Sequence, residues 1–322
     1  MNKILIVGSG SIAQRHIKNL IKLNEKDISI YTKSKNQKKK ISILFPKINI
    51  IQKLEPDIFS HIILANSSNE RFRVLKNFQN YQNFKNKKIY FEKPLACSLQ
   101  QLKKIKTIPN FFLAGFQLRA HPLIIELKKI LNKNKKNLKY CTFKIGYDLR
   151  LWRKNYDISK IYYSKDPKYS GVLWELCHEV DLACYLFGSP KKVFSRNLKL
   201  MKYKKINNDY SKLYFEYKNM ILDITMDMIS PVFTRKYEFI FEKKIITVDL
   251  DKNEMKLITK NNKKILFKLK KFQKNQMYLD LMSIFLHKNK HSFASFGDIC
   301  NNNLILNRLE MSSIKQKLLK IG

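Results

Sequence analysis

Cysteine and long apolar runs are scarce in this chain, and each shortage excludes a class of protein. The five cysteines contain no Cys-x-x-Cys pair and leave one thiol over after any complete pairing. This pattern argues against a zinc ribbon and favours a reducing compartment. No segment approaches the roughly 18 consecutive apolar residues of a membrane-spanning helix, and the four-residue apolar run before Gly8 is too short for a secretory signal. We therefore expect a cytoplasmic protein with no bound metal and no membrane partner.

Acidic residues are also few, since 25 Asp and Glu stand against 64 Lys and Arg and leave a net charge of +39. One interpretation is a surface that attracts polyanions such as nucleic acid, membranes or phosphorylated substrates. The other is a composition rich in Lys, Asn and Ile throughout. We favour the second, because the lysines are spread over the chain and accompany no nucleic-acid-binding motif. No nucleic-acid partner is expected, while an anionic small substrate stays open.

Glycine and proline number only eight each, and neither a Pro/Gly-rich linker nor an internal repeat divides the sequence. The 322 residues nevertheless exceed the roughly 250 to 300 at which a single hydrophobic core stops growing. We therefore predict two domains joined by a short hinge, with residues 1–118 in the first and residues 119–322 in the second.

Some of these few glycines form a fingerprint near the N-terminus. An aliphatic run that ends at Val7 predicts a strand buried on both faces, and a helical pattern follows. Between them stands Gly-x-Gly-x-x-Ala, in which the first glycine permits a tight turn, the second lets the backbone approach a pyrophosphate, and the third small residue lets helix and strand pack closely. The predicted dinucleotide contacts are Gly8, Gly10, Ser11, Ile12 and Ala13. The alternative is a glycine-rich turn that binds no ligand.

The second predicted strand, residues 28–31, ends in Thr32-Lys33 where an Asp or Glu usually binds the ribose of NAD. Asp27 lies at the wrong end of this strand. A hydroxyl and a cation suit a 2′-phosphate, so we predict NADP, with NAD as the alternative. Later buried strands also end in polar loops, and such loops converge on the ligand in a doubly wound sheet. They add the predicted cofactor contacts Asn66, Ser67, Glu92 and Lys93.

The tripeptide Glu92-Lys93-Pro94, at this distance from the fingerprint, resembles the Gfo/Idh/MocA family of sugar and cyclitol oxidoreductases. Residues 8–19, 115–122 and 171–181 also match that family. The resemblance implies an α/β protein with an N-terminal Rossmann domain, built on a doubly wound parallel sheet, and a C-terminal α/β domain with a large open, mainly antiparallel sheet. It also implies a final helix that packs back on the first domain, and a homodimer or homotetramer. Between residues 210 and 269, alternating apolar and polar residues independently predict several adjacent strands.

In that family, the lysine of the tripeptide and a histidine preceded by an acid line the site where the nicotinamide meets the substrate. Carried over to this chain, the catalytic residues are Lys93, His178 and Glu175. Glu175 departs from the commoner Asp and stands three residues before the histidine instead of four. On one helix, Glu175 and His178 would share a face. His178, of a type that titrates at about pH 6.5, would take the hydroxyl proton while Lys93 polarises the reacting oxygen. The alternatives are a structural histidine and an ordinary loop lysine.

Substrate contacts are predicted at Arg119, Trp152, Tyr163 and His178. For Arg119 the alternative is a salt bridge at the hinge, and for the two aromatic residues it is core packing. Asp181, one turn after His178, has either a site role or a helix-anchoring role. The arrangement of Trp152, Tyr163 and the Glu175–His178 pair resembles a subgroup encoded with bacterial surface-sugar genes.

The sequence therefore predicts an NAD(P)-dependent oxidoreductase that transfers hydride between a nicotinamide cofactor and a secondary alcohol or ketone of a carbohydrate. The substrate class includes amino sugars, sugar phosphates and nucleotide sugars. The alternatives are a non-catalytic dinucleotide-binding sensor and a redox-neutral epimerase or lyase that retains its cofactor.

Overall fold

The computed structural model describes residues 2–81, 84–102, 111–134, 137–152, 167–201, 206–287 and 294–321. The chain divides into two compact units, of which the first comprises Met1–Gln117 with Lys274–Cys300 and the second Leu118–Gln273 with Asn301–Gly322. The predicted α/β class, with a parallel sheet followed by a mainly antiparallel one, is confirmed. The predicted domain limits stay a prediction. No helix within the described ranges is long and apolar enough to cross a membrane.

The first unit is built on six short strands. In chain order they are β1 (Ile4–Val7), β2 (Ile28–Tyr31), β3 (Asn49–Ile51), β4 (His61–Leu64), β5 (Lys88–Phe91) and β6 (Phe111–Ala114). The helices are α1 (Ser11–Lys22), α2 (Lys35–Leu44), α3 (Ser68–Phe78) and α4 (Leu99–Leu102). The strand order is β3-β2-β1-β4-β5-β6 and all neighbours are parallel, which is a doubly wound sheet. Every residue of β1 and β4 is buried, as expected for strands covered on both faces.

The register of this sheet aligns the ends of its central strands. Val7 pairs with Tyr31 of β2 and with Leu64 of β4, and Leu64 pairs in turn with Phe91 of β5. The chain leaves β1 towards β2 on one side and later returns to β4 on the other. The loops that follow these four strands therefore begin at one level, at the point where the strand order reverses.

The second unit is built on nine strands. They are β7 (Leu138–Gly146), β8 (Lys192–Leu198), β9 (Tyr210–Glu216), β10 (Ile221–Asp227), β11 (Thr234–Phe241), β12 (Ile245–Asp249), β13 (Glu254–Ile258), β14 (Lys263–Lys268) and β15 (Leu319–Lys320). Their order is β14-β13-β12-β11-β7-β10-β9-β8-β15, and the pair β7–β10 is parallel within an otherwise antiparallel sheet. The helices are α5 (Pro122–Asn134), α6 (Leu149–Trp152), α7 (Val172–Glu175) and α8 (His178–Phe187).

One face of the nine-stranded sheet forms the core of the second unit. Phe143, Tyr237 and Phe239 are almost fully buried on it, and the ring of Phe143 lies 4.7 Å from that of Tyr237 and 5.8 Å from that of Phe239. Phe187 at the end of α8 lies 6.3 Å from Phe239, so α8 packs on this face. The alternate residues Lys236 and Glu238 are exposed, which is the period-two pattern of a sheet with one covered face.

A helix from late in the chain completes the first unit. This helix, α9 (Gln276–His287), packs on α1: the guanidinium of Arg15 lies 4.4 Å from the centre of the Tyr278 ring. Asn275 donates to Asn19 over 2.8 Å, and Lys88 donates to the Leu286 carbonyl over 2.7 Å.

The last helix, α10 (Phe296–Lys315), carries residues that hold the second unit together. The hydroxyl of Ser312 accepts a hydrogen bond from the Ser195 backbone over 3.2 Å. The indole N–H of Trp174 donates to Oε1 of Glu310 over 2.6 Å. Burial raises the pKa of Glu310 to about 7, although the Trp174 hydrogen bond and the charge of Lys168 act in the opposite direction.

Glu310 makes the stability of the protein pH-dependent. In the unfolded chain this carboxyl titrates near its ordinary value of 4.5, so between pH 4.5 and about 7 the folded protein holds a proton that the unfolded chain has released. The free energy of unfolding therefore falls as the pH rises through this window. We expect Glu310→Gln to gain about 1–3 kcal/mol relative to wild type between pH 5 and pH 8 in urea unfolding. Glu238→Gln, at an exposed position, is the control, and the same pH dependence in all three proteins would contradict the assignment.

Candidate functional site

The turn after β1 requires glycine at its first position. Gly8 has a φ of +114°, and a Cβ there would lie 2.6 Å from the carbonyl oxygen of Ala65. The Gly8 N–H donates to the Tyr31 carbonyl over 2.9 Å. The Ala65 N–H donates to the Val7 carbonyl, also over 2.9 Å. The turn is therefore locked between the ends of β2 and β4, in a conformation that a side chain would oppose.

The start of α1 is open towards the same edge of the sheet. Gly10 is its N-cap and offers no side chain to the first turn, which begins at Ser11 and Ile12. A Cβ at Gly10 would meet no atom within 4 Å, whereas Ala13 is fully buried against the unit's interior. The first N–H groups of a helix lack intrahelical acceptors, so this end is suited to an anion.

Asn66, directly after the end of β4, carries an unusual amide. Both its oxygen and its nitrogen are buried, and neither has a hydrogen-bond partner among the described residues. Leaving a buried polar group unsatisfied costs about 1–3 kcal/mol, and most such groups are paired in folded proteins. The amide therefore points to a polar ligand. Its neighbour Ser67 is the N-cap of α3.

The loop after β2 is tied to the glycine turn. The hydroxyl of Thr32 lies 2.9 Å from that of Ser9, and both side chains are buried. Lys33, the next residue, is exposed. Ser34 then caps α2 by accepting a hydrogen bond from the Gln37 backbone over 3.3 Å. The structure therefore brings Thr32 beside the glycine turn and places a solvent-exposed cation at the end of β2.

The loop after β5 is fixed by a buried hydrogen bond that sequence analysis missed. Oε1 of Glu92 lies 2.8 Å from Nε2 of His16 on α1, and both side chains are buried. Burial alone would raise the pKa of Glu92, but His16, Arg71 and Lys93 outweigh it and hold that pKa below its ordinary value. Arg71 also donates to the Pro94 carbonyl over 2.6 Å. Lys93 is half-exposed above this cluster, and the predicted cofactor contact of Glu92 stays a prediction.

In the second unit, Glu175 and His178 do not lie on one continuous helix, and their predicted common face stays a prediction. The helix is interrupted, because α7 ends at Glu175, residues 176–177 form a turn, and α8 begins at His178. Asn208 fixes the start of α7, since its carbonyl accepts from the Val172 N–H over 3.0 Å. Asn208 also packs against Gly171, whose φ is +92°. A Cβ at Gly171 would lie 2.6 Å from the backbone carbonyl oxygen of Asn208. Contacts from distant parts of the chain thus override the helical spacing.

Two buried ion pairs anchor the first turn of α8 beside His178, which is itself 6% exposed. Arg235 donates to both carboxylate oxygens of Glu179, over 2.7 and 3.0 Å. Arg119 donates to both oxygens of Asp181, over 3.0 and 2.6 Å. Asp181 thus anchors the helix, and Arg119 forms a salt bridge within the second unit. A substrate contact of Arg119 stays a prediction.

The side chains of the two predicted substrate aromatics are not among the described residues. Trp152 is the last residue of α6, and its side chain lies outside the described residues, as does the whole of Tyr163.

No protein-family model and no curated protein sequence matches this chain. Solved structures do share its fold. An NAD-binding oxidoreductase from Klebsiella pneumoniae superposes with a TM-score of 0.79 at 12% identity, covering 99% of this chain and 98% of the other. The WlbA dehydrogenase from Bordetella pertussis, in complex with NADH and UDP-GlcNAcA, gives 0.75 at 14%, with coverages of 99% and 98%. A levoglucosan dehydrogenase in complex with NADH and L-sorbose gives 0.79 at 13%, with the same coverages. At these identities the likeness establishes the two-sheet fold along the whole length of the chain.

Proposed function

We propose that this chain is a nicotinamide-dependent oxidoreductase of the Gfo/Idh/MocA type that acts on a secondary alcohol or ketone of a carbohydrate. The observation that carries the proposal is the buried, unpartnered amide of Asn66 at the edge of the sheet where the open helix end at Gly10 also lies. Ligands of doubly wound sheets bind at this edge, where the strand order reverses. Two of the structures with this fold contain NADH, which supports the same class of cofactor.

The residues of this edge fit a dinucleotide. The first N–H groups of α1 would hold the pyrophosphate, close to the Cβ-free backbone of Gly10. Asn66 offers one donor and one acceptor group to the ligand, and Thr32 with Lys33 at the end of β2 suits a 2′-phosphate, so we propose NADP ahead of NAD. Reversible hydride transfer is the chemistry that the nicotinamide supplies when bound.

The chain's own residues would supply proton transfer and charge stabilisation. His178 takes the proton of the substrate hydroxyl as general base and returns it in the reverse direction. Lys93 presents its ammonium group to the reacting oxygen of the substrate, which alternates between alcohol and carbonyl. Glu175 either orients the His178 ring or binds a substrate hydroxyl. The carbohydrate we propose is an amino sugar, a sugar phosphate or a nucleotide sugar, and the net charge of +39 is compatible with an anionic one. We also propose a homodimer or homotetramer.

A pair of glycine variants tests the dinucleotide site. Gly10→Ala places a methyl group where no protein atom lies, so its free energy of unfolding stays within about 0.5 kcal/mol of wild type. The methyl group does obstruct a pyrophosphate, and we expect at least a tenfold loss of NADPH affinity in a fluorescence titration. Gly8→Ala is the matched control, because its strained φ and backbone clash destabilise the fold by about 1–3 kcal/mol. Unchanged NADPH affinity in Gly10→Ala, or no binding by wild type, would remove the basis of the proposal.

A charge reversal tests the choice of cofactor. We expect Lys33→Glu to weaken NADPH binding by about 10- to 100-fold, as charged hydrogen bonds contribute roughly 1.5–3 kcal/mol, and to leave NADH affinity within threefold. Lys39→Glu, at an exposed position on α2, controls for the general loss of positive charge. Equal effects of Lys33→Glu on the two cofactors would assign the site to NAD instead.

Turnover variants test the catalytic assignment. In a screen of sugar phosphates and nucleotide sugars, His178→Ala should lower kcat by about 10²- to 10⁴-fold while NADPH affinity is retained. Lys93→Met should also lower kcat. His287→Ala, at an exposed histidine, is the matched control. A wild-type protein that binds NADPH tightly but converts no carbohydrate would favour the sensor alternative.

A further inference from the structure

Two polar side chains of α10 reach the segment that carries Glu175 and His178. Glu310 accepts the indole N–H of Trp174 over 2.6 Å, directly before Glu175. Asn302 donates its amide N–H to the carbonyl of Cys177 over 3.2 Å, directly before His178. The two α10 residues are about two helical turns apart and therefore lie on the same side of that helix.

The segment that they contact cannot define its own geometry. The helix α7 has a single turn, and an isolated turn is unstable because nucleation fixes several residues for one hydrogen bond. Residues 176–177 then form a turn that separates α7 from α8. Asn208 fixes only the first residues of α7. The separation between Glu175 and His178 therefore depends on contacts made after Val172 and Leu173.

Both α10 contacts are specific polar bonds, of which the Asn302 bond is buried and the Glu310 bond is partly buried. Trp174 is 0% exposed and Asn302 is 2% exposed, so neither bond is readily replaced by water. An apolar residue at position 310 would avoid the partial burial of a carboxylate, but it would leave the indole N–H of Trp174 without this acceptor. The Asn302 bond fixes the carbonyl that also accepts the first helical bond of α8, from the Asp181 N–H over 3.0 Å.

We propose that Glu310 and Asn302 are positioning residues that set the placement of Glu175 and His178 from the C-terminal helix. Glu310 acts through the indole of Trp174, and Asn302 acts through the carbonyl of Cys177. The inference rests on the proposed function in one respect, since it takes His178 as the group that transfers the proton.

Kinetics of four variants test this assignment once wild-type turnover has been found. Small displacements of a reacting group cost up to about 10²-fold in rate, so Glu310→Leu and Asn302→Leu should lower kcat by about 10- to 100-fold while NADPH affinity stays within twofold. Glu310→Gln keeps an acceptor oxygen and should retain kcat within threefold. Ser312→Ala is the matched control, because this buried α10 side chain bonds Ser195 instead of the α7–α8 segment. It should lower thermal stability with kcat unchanged, and an equal kcat loss in Ser312→Ala would overturn the proposal.

A milder variant covers the case in which Glu310→Leu fails to fold. Trp174→Phe keeps an aromatic ring and removes the N–H donor, and its loss of kcat should match that of Glu310→Leu. If Glu310→Leu also folds, the double variant should lose no more than either single one, because both remove the same bond. Additive losses would overturn the role assigned to Glu310.

A measurement on the free protein separates this inference from the proposed function. The six histidines of the chain give six ring signals after selective isotope labelling, and His178→Ala identifies one of them. We expect that signal to shift or broaden in Glu310→Leu, Trp174→Phe and Asn302→Leu, and to match wild type in Glu310→Gln and Ser312→Ala. An unchanged His178 signal in the first three variants would overturn the inference even if the enzyme is active. The expected shifts in a protein without turnover would uphold the positioning while the proposed function fails.

Discussion

The alignment of four parallel strand ends is the constraint on which the candidate dinucleotide site depends. Main-chain pairing brings Val7, Tyr31, Leu64 and Phe91 to one level, and none of these four residues is itself a predicted ligand contact. A register slip of one residue would turn every side chain of a strand to the opposite face. Strands buried on both faces resist such a slip through their packing. The apolar strands thereby decide where the glycine turn, the Asn66 amide and the Glu92 loop lie.

Three of the scarce acidic residues join distant elements in the interior. Glu92 is buried with His16, Glu179 with Arg235, and Asp181 with Arg119. The chain carries 64 basic residues against 25 acidic ones, and the attraction of such a surface for anions weakens as the ionic strength rises.

The sequence predicted the class of fold, the glycine turn and the polar loops, because each of these follows from local pattern. Buried strands are recognisable in the sequence as aliphatic runs, and Asn66 was predicted as a cofactor contact because it follows such a run. The strand β7 and the interruption between Glu175 and His178 were not predicted. The segment around the interruption receives hydrogen bonds from Asn208, Asn302 and Glu310, whose partners are 35 to 136 residues away in the chain and form no recognisable motif with them. His16 lay within a matching segment, but its pairing with Glu92 is visible only once α1 is packed on the sheet.

The first unit is discontinuous in sequence, since residues 274–300 complete it. The ring of Phe285 on α9 lies 5.2 Å from that of His61 and 5.6 Å from that of Tyr90, both of which are buried. During synthesis the strands that bear these residues leave the ribosome long before α9 exists. Domains usually fold as units from the N-terminus onwards, and exposed apolar surface in a waiting intermediate promotes aggregation. The strands of the first unit are therefore completed only after β7–β14 have been translated, and they must stay soluble until α9 has emerged.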